Sequence, residues 1–587
     1  MDIREIQETP IWSLYEKGRN YHRQTGVYTD TDRNYRFYNG DQWDGAKLGG
    51  VEPVQKNFIK PIVKYKCAVI HDHLYAMVFS SMNFANRKFR AAAERYCKML
   101  NGYAEKIWEL DKMDFKGRRI AKDAAINDEG ILYIGYDTEK KKPVNEIIKK
   151  NDIYYGNEND DDIQSQPYIL IRKRLPVVNA IELAHELGVT DKDGFIRGDN
   201  DTMEESGDAA KLELDDMVTV IYKMYKLKGT VHFSVATRLV TLVEDMDIGI
   251  ELYPVAHFVW EEKEGSARGE GEVRRLIPNQ IEVNKTEMRR VLTVKEQAYP
   301  QRVVDVQKVA NPDAVGRVGA TIRTQGNTVE DVNKVVGIVP PASISNDVVE
   351  LQQGLINASR ELAGAGDTAT GDVDPEAASG RAILAVQQAS RAPVTEQKES
   401  YKNFIEDIAN IWLAYFVAYS DGGIEMEEEV TDPTTGEKVI QTVKVPQSAL
   451  KEMQARVKID VTPRSVYDRF ALERTLENLL MNGLLSVQRL PELEVFVKAL
   501  PDDAVTPKHI LEDIVKEARE NQKRIAQMKA NAQLMQQRGH QFMYGDPEAQ
   551  GAMLADAERQ LMAQEQQYAQ QEAALDEQVE VPAESEG

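Results

Sequence analysis

Cysteine is scarce in this sequence: Cys67 and Cys97 are the two cysteines among 587 residues. Two thiols cannot supply a disulfide framework, and such low usage is typical of a reducing compartment. The first ten residues, MDIREIQETP, carry acidic side chains and no apolar stretch, so they do not predict a secretory signal peptide. The longest aromatic and apolar run, 411–419, is too short to cross a bilayer. These absences favour a cytosolic, non-membrane protein.

Basic residues are outnumbered: 73 lysines and arginines face 96 aspartates and glutamates, for a formal net charge of −23. This balance argues against a protein that holds nucleic acid tightly over a broad basic face. It still permits contact over a small surface, or a wall past which nucleic acid slides. The composition, 42% hydrophobic and 29% charged, is typical of a folded soluble chain, and the length predicts roughly four domain-sized segments.

Phosphate-binding and nucleophile motifs are also missing. No G-x-x-x-x-G-K-[ST] segment is present, and the glycine-rich stretch at 364–371 follows a predicted helix, whereas a dinucleotide loop follows a strand. After Gly265 and Ser266 comes Arg268 at the position where a nucleophile elbow has glycine. We therefore predict no catalytic residues and no cofactor.

Metal-binding patterns are weak. His71 and His73 are two residues apart, so on a helix they point to different faces, and surface or interface histidines are the better interpretation. The aspartates at 160–162 lie beside asparagines and are more typical of a solvated loop than of a metal site. Both cysteines fall in helical apolar patterns and are predicted to be packing residues.

The elements that are present predict an α+β fold that is mainly helical. Apolar spacing predicts an amphipathic helix and turn in 1–30 and helices at 57–80 and 84–129. From 131 to 260, β-branched and aromatic runs predict an α+β region with a helix at 176–188 and strands at 130–137, 167–174, 217–227, 230–243 and 253–262.

The second half alternates long helices with insertions. We predict a helix from Val273 to about Ala298 with an apolar stripe at Ile277, Ile281, Met288 and Leu292, and a small β module at 299–340. A helix at 346–362, a low-bulk loop at 364–380 and a helix at 376–419, kinked at Pro393, follow. A hairpin at 424–446 turns at 432–437. Residues 448–520 and the glutamine-rich segment 521–575 are predicted to be helical, and the last residues to be disordered.

Four segments, in this order, resemble the portal proteins (head–tail connectors) of tailed bacteriophages, of the short-tailed type with a C-terminal helical extension. They are YNGDQW at 38–43, RLIPNQIEVNK at 275–285, LQQGLINASRELAGAG at 351–366 and ASGRAILAVQQASR at 378–391. The resemblance implies a portal fold with these parts: a wing at 1–270, stem helix 1 at 271–298, a clip at 299–345, stem helix 2 at 346–363, a tunnel loop at 364–380, a spine helix with a wing hairpin at 381–447, a crown at 448–520, a barrel-like tail at 521–575 and a disordered end at 576–587.

The resemblance also implies a structural, non-enzymatic function. The chain is expected to form a ring, a dodecamer, at one capsid vertex, through which double-stranded DNA is packaged and ejected without sequence specificity. The expected partners are the terminase large subunit, head-completion or adaptor and tail proteins, and the major capsid and scaffolding proteins, with no membrane contact. The expected location is the virion, with the host cytoplasm during assembly.

Candidate site residues follow from this resemblance. The stem offers basic side chains for DNA or, equally, for ion pairs between subunits: Lys285, Arg289, Arg290 and Lys295. The tunnel loop offers a mobile, weakly repelling collar: Gly366, Asp367, Thr368, Thr370, Gly371, Asp372 and Asp374. The clip offers basic residues for terminase, adaptor or subunit contact: Arg302, Lys308, Arg317 and Arg323. The N-terminal signature is predicted to be structural: Tyr38, Asn39, Gly40, Gln42 and Trp43.

Two other functions remain open on sequence grounds. One is a nucleic-acid enzyme with an acidic metal site, against which the missing phosphate loop counts. The other is a helical adaptor or scaffold protein carried by 448–575. That second possibility does not explain a β insertion between two long helices.

Overall fold

The structure is a computed structural model, and it describes residues 3–46, 52–81, 87–186, 189, 193–199, 216–325, 335–340, 343–366, 392–419, 423–431, 438–453 and 455–463, with single positions at 493, 514, 515, 518 and 521. The chain divides into two compact units, Met1–Arg464 and Ser465–Gly587. The architecture given below is that of the first unit.

Helices make up most of the N-terminal part and three long segments after residue 270. In chain order they are α1 Ile3–Glu8, α2 Ile11–Thr25, α3 Val27–Asn39, α4 Ile59–Ile70, α5 Arg87–Leu110, α6 Met113–Asn127, α7 Val177–Glu186, α8 Glu272–Ala298, α9 Asn346–Leu362, α10 Thr395–Tyr419 and α11 Gln447–Met453.

Strands form small antiparallel sheets. In chain order they are β1 His73–Ser81, β2 Glu129–Asp137, β3 Lys142–Ile148, β4 Ile153–Tyr155, β5 Tyr168–Pro176, β6 Met217–Leu227, β7 Thr230–Ala236, β8 Thr241–Asp247, β9 Val255–Val259, β10 Arg302–Val304, β11 Val336–Ile338, β12 Ile424–Thr431, β13 Lys438–Val445 and β14 Ala455–Pro463. The sheet orders are β3-β2-β9 and β4-β5-β6-β7-β8, with the pairs β1-β14, β10-β11 and β12-β13.

The main core lies between α10 and the β3-β2-β9 sheet. One face of α10 presents Phe404, Ile408, Trp412 and Phe416 at four-residue spacing, and all four are buried. The indole N–H of Trp412 donates to Asn145 Oδ1 at 3.0 Å, which satisfies the one polar atom of a fully buried ring.

The mixed helix-and-strand class is confirmed, and many element boundaries agree with the sequence patterns. The strand at 217–227, the helix at 346–362 and the paired arms of the hairpin, Ile424–Thr431 and Lys438–Val445, lie where predicted. The run 230–243 is two strands, because Thr237 N donates to Val240 O at 2.8 Å and closes a turn between them. Strands β3 and β4 were not predicted.

The predicted helices at 57–80 and 448–520 are wrong over 73–80 and 455–463, which lie in β1 and β14. Both segments are strands, and they pair antiparallel in register from His73–Pro463 to Ser81–Ala455. Each strand finds its hydrogen-bond partner more than 370 residues away, so local sequence could not reveal the pairing itself. The predicted helix at 84–129 is also interrupted, at Lys112, which has φ +51°.

The long helix α8 is confirmed, but its predicted stripe is only partly correct. Ile277 is buried and Ile281 is half-buried, whereas Leu292 is exposed. No described residue of α8 after Thr286 is buried, although Glu287, Met288 and Arg290 are half-buried. Pro393 lies in a 3-10 turn directly before α10 begins. The part of the predicted kinked helix that precedes this turn lies outside the described residues.

Candidate functional site: the α8–α9 pair and its attachment

Helices α8 and α9 run antiparallel and are joined through polar side chains. Near one end, Asn279 Nδ2 donates to Ser359 Oγ at 2.9 Å. Towards the other end, Arg290 Nη1 donates to Gln352 Oε1 at 2.7 Å, and Gln352 Nε2 donates to Glu287 Oε2 at 2.6 Å. Since the insertion 299–345 connects the two distal ends, the pair projects a small β module away from the first half of α8.

The four basic residues predicted on α8 differ in their partners. Lys285 pairs with Glu282 at 2.7 Å, Arg290 with Glu287 at 3.1 Å and Lys295 with Glu52 at 3.9 Å. Arg289 is exposed and has no carboxylate partner among the described residues. Exposed pairs of this kind contribute about 0.2–1 kcal/mol each. They can therefore exchange partners readily.

The insertion is almost entirely surface. Of its described residues between 299 and 345, Val309 is the only apolar side chain that is buried. Strands β10 and β11 pair over three residues, and a bridge joins Val309 to Thr324. The four predicted basic residues, Arg302, Lys308, Arg317 and Arg323, are all exposed, and Lys308 lies 3.5 Å from Asp305.

The loop after α9 is described only at its beginning. Gly364 has φ +67°, and a Cβ there would lie 2.7 Å from Pro393, so glycine is required at that turn. Gly366 is the last residue of this loop that the structure describes before residue 392. The other predicted collar residues, Asp367, Thr368, Thr370, Gly371, Asp372 and Asp374, lie outside the described residues.

The N-terminal signature packs against α8. Asn39 ends α3, and Gly40 caps it with φ +102°, which explains the glycine. Phe37 and Tyr38 are buried, and Trp43 Nε1 donates to Val54 O at 3.0 Å. Phe37 and Tyr38 therefore belong to the packed core.

Two amides on α8 bind this N-terminal segment, a contact that sequence reasoning missed. Asn284 Nδ2 donates to Gln42 Oε1 at 2.6 Å, and Asn284 Oδ1 accepts from Lys56 N at 3.1 Å. Gln280 accepts from Phe58 N at 3.0 Å and donates to Lys56 O at 2.9 Å. Both amides are buried and fully paired, so the segments 38–43 and 275–285, singled out separately, form one structural unit.

A buried ionic cluster lies immediately before α8. The Arg268 guanidinium donates to Glu129, to both oxygens of Glu158 at 2.7 and 2.8 Å, and to His22 Nε2 at 2.8 Å. Burial alone raises the pKa of Glu158, but Arg268 and His22 lower it to about 2. Burial, followed by the Arg268 charge, lowers the pKa of His22 to about 4, so this imidazole is neutral at pH 7.

Two further contacts hold the first residues of α8. Gly271 N donates to Asp128 Oδ1 at 2.6 Å, and Lys150 pairs with the other oxygen of that carboxylate. Lys66 Nζ lies 2.6 Å from Glu272 Oε2, and both side chains are buried. Together with the Arg268 cluster, these contacts attach α8 to the strands and helices of the first unit.

The described part of the chain does not bring together the reactive side chains of an enzyme active site. No group of three or more His, Cys, Asp or Glu side chains there has a metal-binding arrangement. Asp160 and Asp162 cap local turns, accepting from Ser165 Oγ at 2.6 Å and Gln164 N at 2.8 Å, which agrees with a solvated loop. Burial raises the pKa of Cys67 to about 12 and that of Cys97 to about 11, as expected of packing residues.

No described helix combines the length and apolarity needed to span a membrane.

Comparison with protein families matches the sequence model of the Phage P22-like portal protein family to residues 188–578, about two thirds of the chain. The chain belongs to the P22-like phage portal protein family. A search of curated proteins gave no match. The predicted recognition is therefore confirmed: this is a portal protein, a head–tail connector of the bacteriophage virion that serves genome packaging.

Membership in the portal family also has consequences for function class and location. Portal proteins are structural rather than enzymatic, form oligomeric rings in the capsid and work with DNA and terminase in general. Their place is the capsid vertex of the virion. The family match covers the α8–α9 pair, the insertion and the loop after α9, where the stem, clip and tunnel-loop candidates lie, but not the N-terminal signature at 38–43.

Proposed function

We propose that this portal protein assembles into a closed dodecameric ring whose channel conducts double-stranded DNA during packaging and ejection. In this assignment the wing is 1–270, the stem helices are 271–298 and 346–363, the clip is 299–345, the tunnel loop is 364–380 and the spine with its hairpin is 381–447. Because β14 pairs with β1, we place the start of the crown at Ser465 rather than at 448. The barrel-like tail is 521–575 and the disordered end is 576–587.

The observation that carries the proposal is the unburied apolar surface of the clip and the outer stem. A three-residue strand pair around one buried valine is too small to be stable alone. Its exposed apolar side chains, and those of the outer stem, mark a surface that other chains cover: Val303, Val306, Val318, Ile322, Ile338, Leu292, Val294 and Leu351. Neighbouring copies in a ring would cover these side chains.

The charges support a channel that does not retain DNA. With Lys285, Arg290 and Lys295 each beside a carboxylate, their attraction for phosphate is partly neutralised, which lowers resistance to sliding. Arg289 is then the stem residue we assign to direct phosphate contact. We assign the tunnel loop residues to a weakly repelling collar, and the exposed clip residues Arg302, Lys308, Arg317 and Arg323 to docking of the terminase large subunit and later of head-completion and tail proteins.

Mass measurement on the purified full chain tests the ring. Twelve copies of 66.3 kDa give about 0.8 MDa. We expect a discrete species of that mass by native mass spectrometry, and rings in electron micrographs. A stable monomer at micromolar concentration, with no rings, would exclude the proposal.

Matched variants test the role of the clip surface. Val303→Asp with Val318→Asp adds charge to exposed clip positions and is expected to reduce the ring fraction at least tenfold. Leu239→Asp is the control, because Leu239 is about as exposed as Val303 but follows β7 in the five-stranded sheet. Equal ring fractions for the clip variant and the wild type would show that the clip does not form subunit contacts.

A further inference from the structure

Helix α9 carries an exposed apolar stripe. Its members follow one another at spacings of four, three and four residues, which places them on one side of a helix: Leu351, Leu355, Ala358 and Leu362. Leu351 is 61% exposed and Leu362 is 85% exposed, while Leu355 is half-buried. Glu350 and Glu361, both exposed, border the stripe. This spacing and exposure are typical of a helix face that another chain covers.

A small apolar pocket lies between the C-terminal end of α9 and the first turn of α4. Its volume is about 240 Å³. An apolar cavity of about 150 Å³ already has room for a benzene molecule, so this pocket has room for a leucine side chain. Apolar side chains make up most of the lining: Phe58, Pro61, Ile62, Ile356 and Ala365. The remaining lining residues are Lys56, Asn57 and Arg360, with no aspartate or glutamate among them, so the pocket is basic where the border of the stripe is acidic.

Helix geometry turns the stripe away from this pocket. With 3.6 residues per turn, Leu362 is rotated by about 200° from Arg360 and by about 240° from Ile356 around the axis of α9, and it lies only about 3 Å along that axis from Arg360. Leu362 therefore cannot fill the pocket of its own chain. It lies at the right level to fill the pocket of a neighbouring copy.

We infer that Leu362 of one copy enters the α4–α9 pocket of the next copy, with Glu361 beside Lys56 of that neighbouring copy. This inference rests on the proposed ring and names a contact that links its subunits. A second copy is favoured over an unrelated partner, because one chain supplies both an apolar side chain with an acidic border and an apolar pocket with basic residues. A head-to-tail contact of this kind repeats from copy to copy and produces a ring when the rotation closes.

Crosslinking of the full chain tests the contact. The variant carries Pro61→Cys in the pocket and Leu362→Cys on the stripe, and it is treated with a short bis-maleimide. Burial raises the pKa of Cys67 to about 12 and that of Cys97 to about 11, so the native thiols react slowly. We expect a ladder of covalent oligomers that extends beyond the dimer on denaturing gels. Each single-cysteine variant should run as a monomer.

A matched cysteine pair provides the control. Leu362→Cys with Leu239→Cys places the second thiol at an exposed position after β7, and it should give no ladder. A ladder that stops at the dimer would overturn the inference, because it indicates a two-fold contact. A crosslink within one chain would overturn it too, because the pocket would then be covered from its own chain. Ring mass is measured in parallel, so rings without a ladder overturn this inference alone, whereas a wild type without rings overturns the ring proposal as well.

A single substitution measures the importance of the contact. Leu362→Gln should reduce the ring fraction at a fixed subunit concentration at least tenfold, since each contact loses a buried leucine side chain. Leu110→Gln is the control, because Leu110 is 67% exposed and lies on α5. It should leave the ring fraction unchanged, and both variants should melt at the wild-type temperature. Equal ring fractions for Leu362→Gln and the wild type would contradict the inference.

Discussion

Replacing Arg268 with methionine should destabilise the first unit more than any exposed charge change. Arg268 is buried and donates to Glu129 and Glu158, and methionine keeps the aliphatic volume while removing every donor. Glu129 retains His257 at 2.8 Å and the Tyr155 hydroxyl at 3.0 Å, whereas Glu158 loses its main cationic partner.

The size of this destabilisation follows from the protonation of Glu158, which loses its main cationic partner in the variant. At pH 7, protonating a carboxyl with an ordinary pKa of 4.5 costs about 3.4 kcal/mol, and lost hydrogen bonds raise the total to about 3–5 kcal/mol. A unit of 464 residues has an unfolding entropy of about 1 kcal/mol/K, so the melting temperature should fall by about 3–5 °C.

Differential scanning calorimetry at pH 7 measures this shift. Arg275→Met is the matched control, because Arg275 is exposed and pairs with Glu261 and Glu270 at the surface, so we expect a shift of about 1 °C or less. Adding Glu158→Gln to Arg268→Met should restore part of the loss. If Arg268→Met and Arg275→Met melt within 1 °C of each other, the buried cluster does not hold this part of the fold.

Three further predictions concern pH, the N-terminal segment and the tunnel loop. The folded pKa of His22, about 4, lies below the unfolded value of 6.5, so the unfolded chain binds more protons between these pH values. The free energy of unfolding should therefore fall by about 3 kcal/mol as pH drops from 6.5 to 4. Denaturant titrations of His22→Gln should show a weaker dependence of that free energy on pH. An unchanged dependence would mean that other groups cause it. Asn284→Leu leaves Lys56 N and Gln42 Oε1 without those partners and should cost about 1–3 kcal/mol in urea unfolding. Glu282→Leu, at an exposed position, should cost near zero, and equal losses would contradict the role of the amide. Deleting 367–377 should leave ring assembly intact but impair DNA packaging or retention, and loss of rings instead would make the loop structural.

The sequence predicted best where the local pattern decides the structure. The hairpin at 424–446 and the helix at 346–362 follow from alternation and from three- to four-residue spacing, and both lie where expected. For 455–463 the signal was present and was missed: Val457 and Ile459 are buried between exposed Arg456, Lys458 and Asp460, which is the two-residue period of a strand.

The attachment of α8 was not predictable in the same way. In the sequence, Arg268 was considered only because it stands where a nucleophile elbow has glycine. A single charged residue gives no indication that its side chain is buried. The burial depends on Glu129, Glu158 and His22, which come from three distant parts of the chain. The collar residues Asp367 to Asp374 stay predictions, as does the assignment of Arg289 to DNA.

The pairing of β1 with β14 has a consequence for biosynthesis. His73 leaves the ribosome 382 residues before Ala455, which at about 5–20 residues per second is roughly 20–75 s of waiting. Throughout that interval the edge of β1 has no partner strand, and the nascent first unit is incomplete. Subunits released before residue 463 should therefore be poor candidates for incorporation, so that the timing of synthesis itself screens which chains enter the growing oligomer.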